Sequence, residues 1–332
     1  MTLNPHALGL YFGRRQLDET QTEPLGTAWA FLNTVEGDVI GQRPAPTRKN
    51  KAAIEPIHKR ALNAHEQMLL DATAFVFLHD PLVGQRATQV LFASEYGFRD
   101  GISIATSARE IVSAIQIANL LHDEPSFSAQ ADAWYVAIAK RYEQLATHPS
   151  LKGADFTWMN TLAIVIGAVY DNETLIHEAI EHLKEQINTI HPEGYMKNAV
   201  DGDEPLHNFE QTMAVTGGLV LAAEIAEQTD TPLWNYDNRG VSVQTTVAYV
   251  VSHYFYPNKW RWRSALTDEQ IKPLFIRDGA FLEMAHARKP IHATQLLLTD
   301  LRPMFSLHFG GLTTLTHAKI AQEPPKKRGW LW

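Results

Sequence analysis

The sequence predicts an all-α protein, a ring of helical hairpins (an α/α toroid), with a short hairpin near the C-terminus. Three observations carry this. Apolar residues recur at spacings of three and four in one segment after another, and Pro, Gly, Asp or Asn fills nearly every gap between them. Strand-like alternation is absent outside "FSLHFGGLTTLTHA". Several segments are apolar almost all round, which requires helices packed on helices. No repeat of about 34 or 40 residues with fixed signature positions is visible, so a ring is favoured over a regular solenoid.

Residues 1–50 contain "NTVEGDVIGQRPAPTRKNK", with Gly, Pro and charge but no period, and read as a loop-rich segment packing on the ring. The toroid domain is expected over 51–318. It opens with "AAIEPIHKRALNAHEQMLLDATAFVFLHD", where Ile57, Ala61, Leu62, His65, Met68, Leu69 and Ala72 share a helical face. After a break at Pro81 follow "GQRATQVLFASEY", "TSAREIVSAIQIANLLHDE", "AQADAWYVAIAKRYEQLATH" and "TWMNTLAIVIGAVYDN". "ETLIHEAIEHLKEQINTI", "FEQTMAVTGGLVLAAEIAEQ", "VSVQTTVAYVVSHYF" and "GAFLEMAHARKP" complete the series. The nearly uncharged runs 157–170 and 213–223 are expected inside the ring, and the charged runs 131–146 and 173–190 outside it. The tail over 319–332 includes "EPPKKRGWLW", broken by proline and expected to dock through Trp330 and Trp332.

Composition narrows the function. The chain has 332 residues, 45% hydrophobic and 20% charged, with a net charge of −8. Its basic residues are scattered, so a nucleic-acid partner, which wants a basic stripe, is not expected. No apolar run approaches the ~20 residues of a membrane span, so no membrane partner is expected either. The absence of cysteine excludes disulfides and thiolate metal sites. His177 and His182 stand at i and i+5, off a common helix face, which argues against zinc. No metal and no cofactor is expected. The N-terminus lacks a signal peptide's order of basic, apolar and small residues, which points to the cytoplasm.

The stretch "DEPLHNFEQT", residues 203–212, puts a His and two amides at the mouth of a buried helix. Asn208 and Gln211 have the spacing of a capping box, and the same residues suit a groove for a glycan. The longer run "LHNFEQTMAVTGGLVLAAEIAEQTDTPLWNYDNRG" resembles a segment of the alginate-lyase-like and heparinase-II/III-like polysaccharide lyases. There a catalytic His-Tyr or His-Thr-Gln stretch leads through an Ala-Glu-x-Ala helix end to Leu-Trp-x-Tyr and Arg. "GISIATSAREIVSAIQIANLL" and "LRPMFSLHFGGLTTLTHA" are similar to other parts of that family, so the resemblance spans about residues 55–318. Where the family has Asn-Asn-His or Asn-Gly-Asn, this chain reads Gly153-Ala154-Asp155-Phe156, and Asn208 stands at the usual tyrosine.

The resemblance implies an incomplete toroid that cleaves a uronate-containing glycan by β-elimination. Such an enzyme neutralises the uronate carboxylate, takes the C5 proton and protonates the departing C4 oxygen. It implies catalytic roles for His207 as base, Asn208 and Gln211 as neutral donors, and Tyr254 or Tyr256 as acid. Asp155, Asn160, Tyr236, Arg239 and Arg302 are the implied substrate-binding residues, with Trp158, Trp234 and Trp260 as stacking platforms. Trp262 is a further aromatic of the same kind. Two other readings stand beside it. A toroid hydrolase would use paired carboxylates, Asp203 with Glu204 or Asp155 with Asp237. A toroid without chemistry would serve as a glycan-binding or scaffold protein.

Overall fold

The computed structural model describes residues 61–318, except 79, 98, 149, 150, 228 and 230, together with 28, 31 and 32. The expected C-terminal tail and most of the N-terminal segment lie outside the described residues. Ala28, Phe31 and Leu32 are helical and buried, with Phe31 against Phe305 at 5.7 Å between ring centroids.

In chain order the helices are α1 (Ala64–Leu78), α2 (Pro81–Ala93), α3 (Ile104–Leu120), α4 (Pro125–Ser128), α5 (Ala131–Ala146), α6 (Gly153–Tyr170) and α7 (Glu173–Asn188). There follow α8 (Pro205–Ala226), α9 (Val243–Phe255), α10 (Asp268–Asp278), α11 (Phe281–Arg288), α12 (His292–Leu301) and α13 (Thr313–His317). No strand occurs among the described residues. The hairpin expected near the C-terminus is reduced to a single antiparallel bridge between Ser306 and Gly311, after which α13 begins. Two glycines in succession, each with positive φ, turn the chain too tightly there for a ladder to continue.

Helix starts follow local chemistry. Asp80 caps α2 through the Leu82 amide with Pro81 at the first helical position, and Ser103 caps α3 through Thr106. Reciprocal capping boxes open α9 (Ser242 with Thr245) and α10 (Thr267 with Gln270).

Burial separates two rings. Helices α3, α6, α8 and α11 are buried along nearly their whole length, while α5, α7 and α12 keep exposed faces. The runs 157–170 and 213–223 are thus inside and 131–146 and 173–190 outside. Contacts give the directions. Gln186 late in α7 meets Thr157 early in α6, so that hairpin is antiparallel. Trp158 of α6 donates to Ala214 of α8, and Thr161 to Gly218 one turn on, so the two inner helices run parallel. Asp155 accepts from the Ala105 amide, which aligns the starts of α6 and α3. Inner helices therefore open at one common end. α8 begins more than two turns before Ala214, so its start projects as a rim.

The centre of the ring is filled by the loop 309–311. Phe309 packs edge-on to Trp158 of α6 and tilted against Phe281 of α11, each at 5.6 Å. Gly217 of α8 has no room for a β-carbon because Phe309 occupies the space. Gln116 of α3 donates to the Gly310 carbonyl at 3.1 Å, and Leu69 of α1 lies against Gly311. All these inner helices touch one short loop, which works as an axle.

Candidate active site

At the common end of the inner helices, the starts of α3, α6 and α8 converge. Asp155 spends one carboxylate oxygen on the Ala105 amide at 2.7 Å. Trp158 is fully buried with its indole N–H committed to Ala214. Above its ring, at 5.9 Å, lies the guanidinium carbon of Arg109. Arg109 donates to the Ala105 carbonyl at 3.3 Å and to Thr106 Oγ1 at 3.1 Å, but it forms no ion pair among the described residues. Burial lowers its pKa; Asp278 opposes that shift and the like charge of Arg277 adds to it. Asp278, Glu110 and Glu210 offset only part of the desolvation from a distance, and with no carboxylate in contact, an anionic ligand would complete the compensation.

Arg277 stands nearby at the end of α10. It binds Asp278 at 2.6 Å and Glu210 of α8 at 3.1 Å, which raises its pKa. Both carboxylates are therefore occupied.

A pocket of about 190 Å³ opens between α1, α3 and the residues leading into the axle loop. Asn63, His65, Tyr96, Glu110, Ser113 and His308 supply its polar lining. Ser113 lies one turn beyond Arg109, on the same face of α3. Its Oγ sits 2.8 Å from the Arg109 carbonyl, 3.0 Å from the Leu307 carbonyl and 3.1 Å from His308 Nδ1. Burial, then Arg109 and His65, push the His308 pKa down to about 3, so the ring is neutral near pH 7. Burial also raises the Tyr96 phenol to about 12 and keeps it protonated.

Of the residues implied from the sequence, the structure brings Asp155, Trp158, His207, Asn208 and Gln211 to the inner-helix starts. His207 is exposed, and Gln211 is half-buried. Asn208 is buried but is not a cap. Pro205 starts α8, which leaves Asn208 inside its first turns, and its amide holds the preceding loop through the Gly202 carbonyl at 2.9 Å.

The others go elsewhere. Asn160 bonds the Phe156 carbonyl and His182 of the outer helix α7, facing away from the bore. Tyr254 is buried against Phe275 and Phe255, and Tyr256 lies exposed beyond the end of α9 under the Lys259 ammonium. Pro257 ends that helix, so the two tyrosines never share a face. Trp234 donates to buried Glu224 near the far end of α8, and Trp260 is sealed among Phe209, Tyr249 and His253. Tyr236 bonds Asn188, while Arg239 occupies the left-handed position of an exposed turn that Asp237 caps. Arg302 is spent on Glu283 in a two-pronged pair at 2.6 and 2.8 Å. Trp262 bonds Tyr249 and carries Arg261 over its ring. Neither carboxylate pair assembles as a free acid and base: Asp203 pairs with Arg263, and Asp237 with the Gly240 amide.

Arg109, Arg277 and His308 were missed. The signal for Arg109 was present, since it is the only basic residue in the buried helix α3. Among the described residues no cluster of three His, Asp or Glu suits a metal ion, and no helix is long and apolar enough to cross a membrane.

A ring of inner and outer helices with a polar mouth at one end defines an α/α toroid. The family model for alginate lyase matches residues 84–260, over half of the chain, and the protein belongs to that family. The fold is similar to alginate lyase A1-III from Sphingomonas species A1, at 13% identity and a TM-score of 0.66, covering 95% of this chain and 97% of that one. A variant of alginate lyase A1-III complexed with tetrasaccharide gives a TM-score of 0.70 at 14% identity, covering 96% and 97%. An alginate lyase from Bacteroides ovatus gives 0.65 at 12% identity, covering 96% and 100%. No curated protein sequence matches significantly.

Proposed function

We propose that the chain cleaves a uronate-containing oligosaccharide or polysaccharide by β-elimination, with the uronate carboxylate seated on Arg109. The observation that carries this is the half-buried guanidinium over Trp158, at the open end of the ring, with no carboxylate of its own. The C5 proton of a uronate becomes acidic only when the adjacent carboxylate is neutralised, and a fixed cation in a partly dry site does that with little reorganisation. The indole beneath is fully buried, so its part is to orient the guanidinium. Family membership supports the reaction class, and the tetrasaccharide held by the related A1-III lyase supports a glycan as substrate.

The test is product chemistry. β-Elimination leaves a C4–C5 double bond conjugated to the carboxylate, which absorbs in the ultraviolet, whereas hydrolysis leaves none. Incubation with a panel of uronate oligomers is expected to raise ultraviolet absorbance in step with new reducing ends. Arg109→Ala should lower kcat/KM by about 10²–10³-fold, the range of losing one preorganised charge donor. Reducing ends without absorbance would mean a hydrolase, and no reaction with any uronate would end the proposal.

A further inference from the structure

We propose that the pocket between α1, α3 and the residues leading into the axle loop receives the uronate residue that loses its C5 proton, and that His308 Nε2 is the base. This rests on the lyase reading above and moves the proton-transfer group away from His207, to a position far along the chain.

The argument starts from Ser113. Its hydroxyl has one proton and two backbone carbonyls within 3.0 Å, those of Arg109 and Leu307. A carbonyl is the better acceptor, so the proton goes there and an Oγ lone pair is left for His308 Nδ1 at 3.1 Å. That fixes the proton on Nδ1. Nε2 then carries a lone pair. The ring lines the pocket. A neutral imidazole with an oriented lone pair, beside a cation that neutralises the carboxylate, is the arrangement α-proton removal requires.

Two cations, Arg109 from α3 and Arg277 from α10, and the His65 imidazole from α1 act on the ring. With the site empty, Arg109 disfavours the imidazolium. A bound carboxylate screens that charge, so substrate itself raises the basicity of the group that attacks it. The size fits, since about 190 Å³ holds one pyranose and little more. In the step, Nε2 takes the C5 proton as the C5–H electrons form the C4=C5 bond. The C4–O bond breaks with its electrons on oxygen, and the imidazolium returns its proton to that oxygen. No other reactant is consumed.

The experiment compares His308→Gln, His308→Ala and Ser113→Ala with the unaltered chain on uronate oligomers, following unsaturated product. Both His308 variants should lose about 10²–10⁴-fold in kcat with circular dichroism and melting unchanged. Added imidazole should restore part of the His308→Ala rate, which no structural role would allow. Ser113→Ala keeps the ring but frees its tautomer, and should lower kcat about tenfold at unchanged KM. Full turnover by His308→Gln, or a loss confined to His207→Ala, overturns the assignment while leaving the lyase reading intact. Absence of unsaturated product from the unaltered chain overturns both.

Discussion

Two carboxylates inside the ring show what a buried charge demands, and they set Arg109 apart. Glu283 is wholly buried; Arg302 grips it with two hydrogen bonds and Thr314 adds a third. Glu224 accepts from Arg288 twice and from Trp234. Removing one partner of such a pair strands the other, so Arg302→Ala should cost about 3–5 kcal/mol by chemical denaturation. Arg109→Ala removes a cation that has no partner to strand, and should shift stability by less than about 1 kcal/mol. A large loss there would make Arg109 a structural residue. The contrast also explains what the sequence could convey. Arg302 and Arg109 look alike as letters, and only the fold decides which one meets a carboxylate. Trp234 and Trp260 read as stacking platforms for the same reason, since burial is invisible in a residue's name.

At the level of elements much more was legible. The inner and outer helices follow from charge and apolar period alone, because a helix buried on all sides cannot carry Lys or Glu without partners. Boundaries were harder. The spacing of Asn208 and Gln211 suggested a cap, but Pro205, with φ preset for a first helical position, starts α8 a turn earlier. The axle was not legible at all. It joins residues 309–311 to residues about 30 to 240 positions away, and no local pattern marks such contacts. Its tightness is testable at Gly217, where a methyl group would enter the space of the Phe309 ring. Gly217→Ala should cost about 1–3 kcal/mol through overpacking, against the gain of a few tenths to 1 kcal/mol that the same change gives in an open helix. A stabilised variant would show that the ring is looser than described.

For the whole molecule, acid is the sensitive direction. His308 sits below its ordinary 6.5, at about 3, because burial disfavours its charged form. Burial pushes Glu224 up, but His317, whose Nε2 lies 3.6 Å away, and the two bonds from Arg288 outweigh it and hold the carboxyl at about 2 against an ordinary 4.5. Both groups bind protons more weakly folded than unfolded, so their contributions are complete above pH 6.5 and decline below it. His308 acts first, as pH falls from 6.5 toward about 3; Glu224 follows from 4.5 toward about 2, with about 3 kcal/mol at stake. Denaturant midpoints measured against pH should therefore start to drop below 6.5, and His308→Gln should make the drop between 6.5 and 4.5 shallower, leaving the share of His253, whose pKa burial also lowers. An unchanged slope over that range in the variant would remove His308 as a cause.

The axle loop has one more consequence, for traffic. A ring with an open bore could let a polymer thread through, entering at one mouth and leaving at the other as it is shortened. Phe309, gripped by Trp158, Phe281 and the α-carbon face of Gly217, stoppers that passage. Whatever enters beside Arg109 must back out the way it came. Each turnover then ends with both halves of a cut chain on the same side of the protein, and sliding forward through the ring to the next linkage is closed to it.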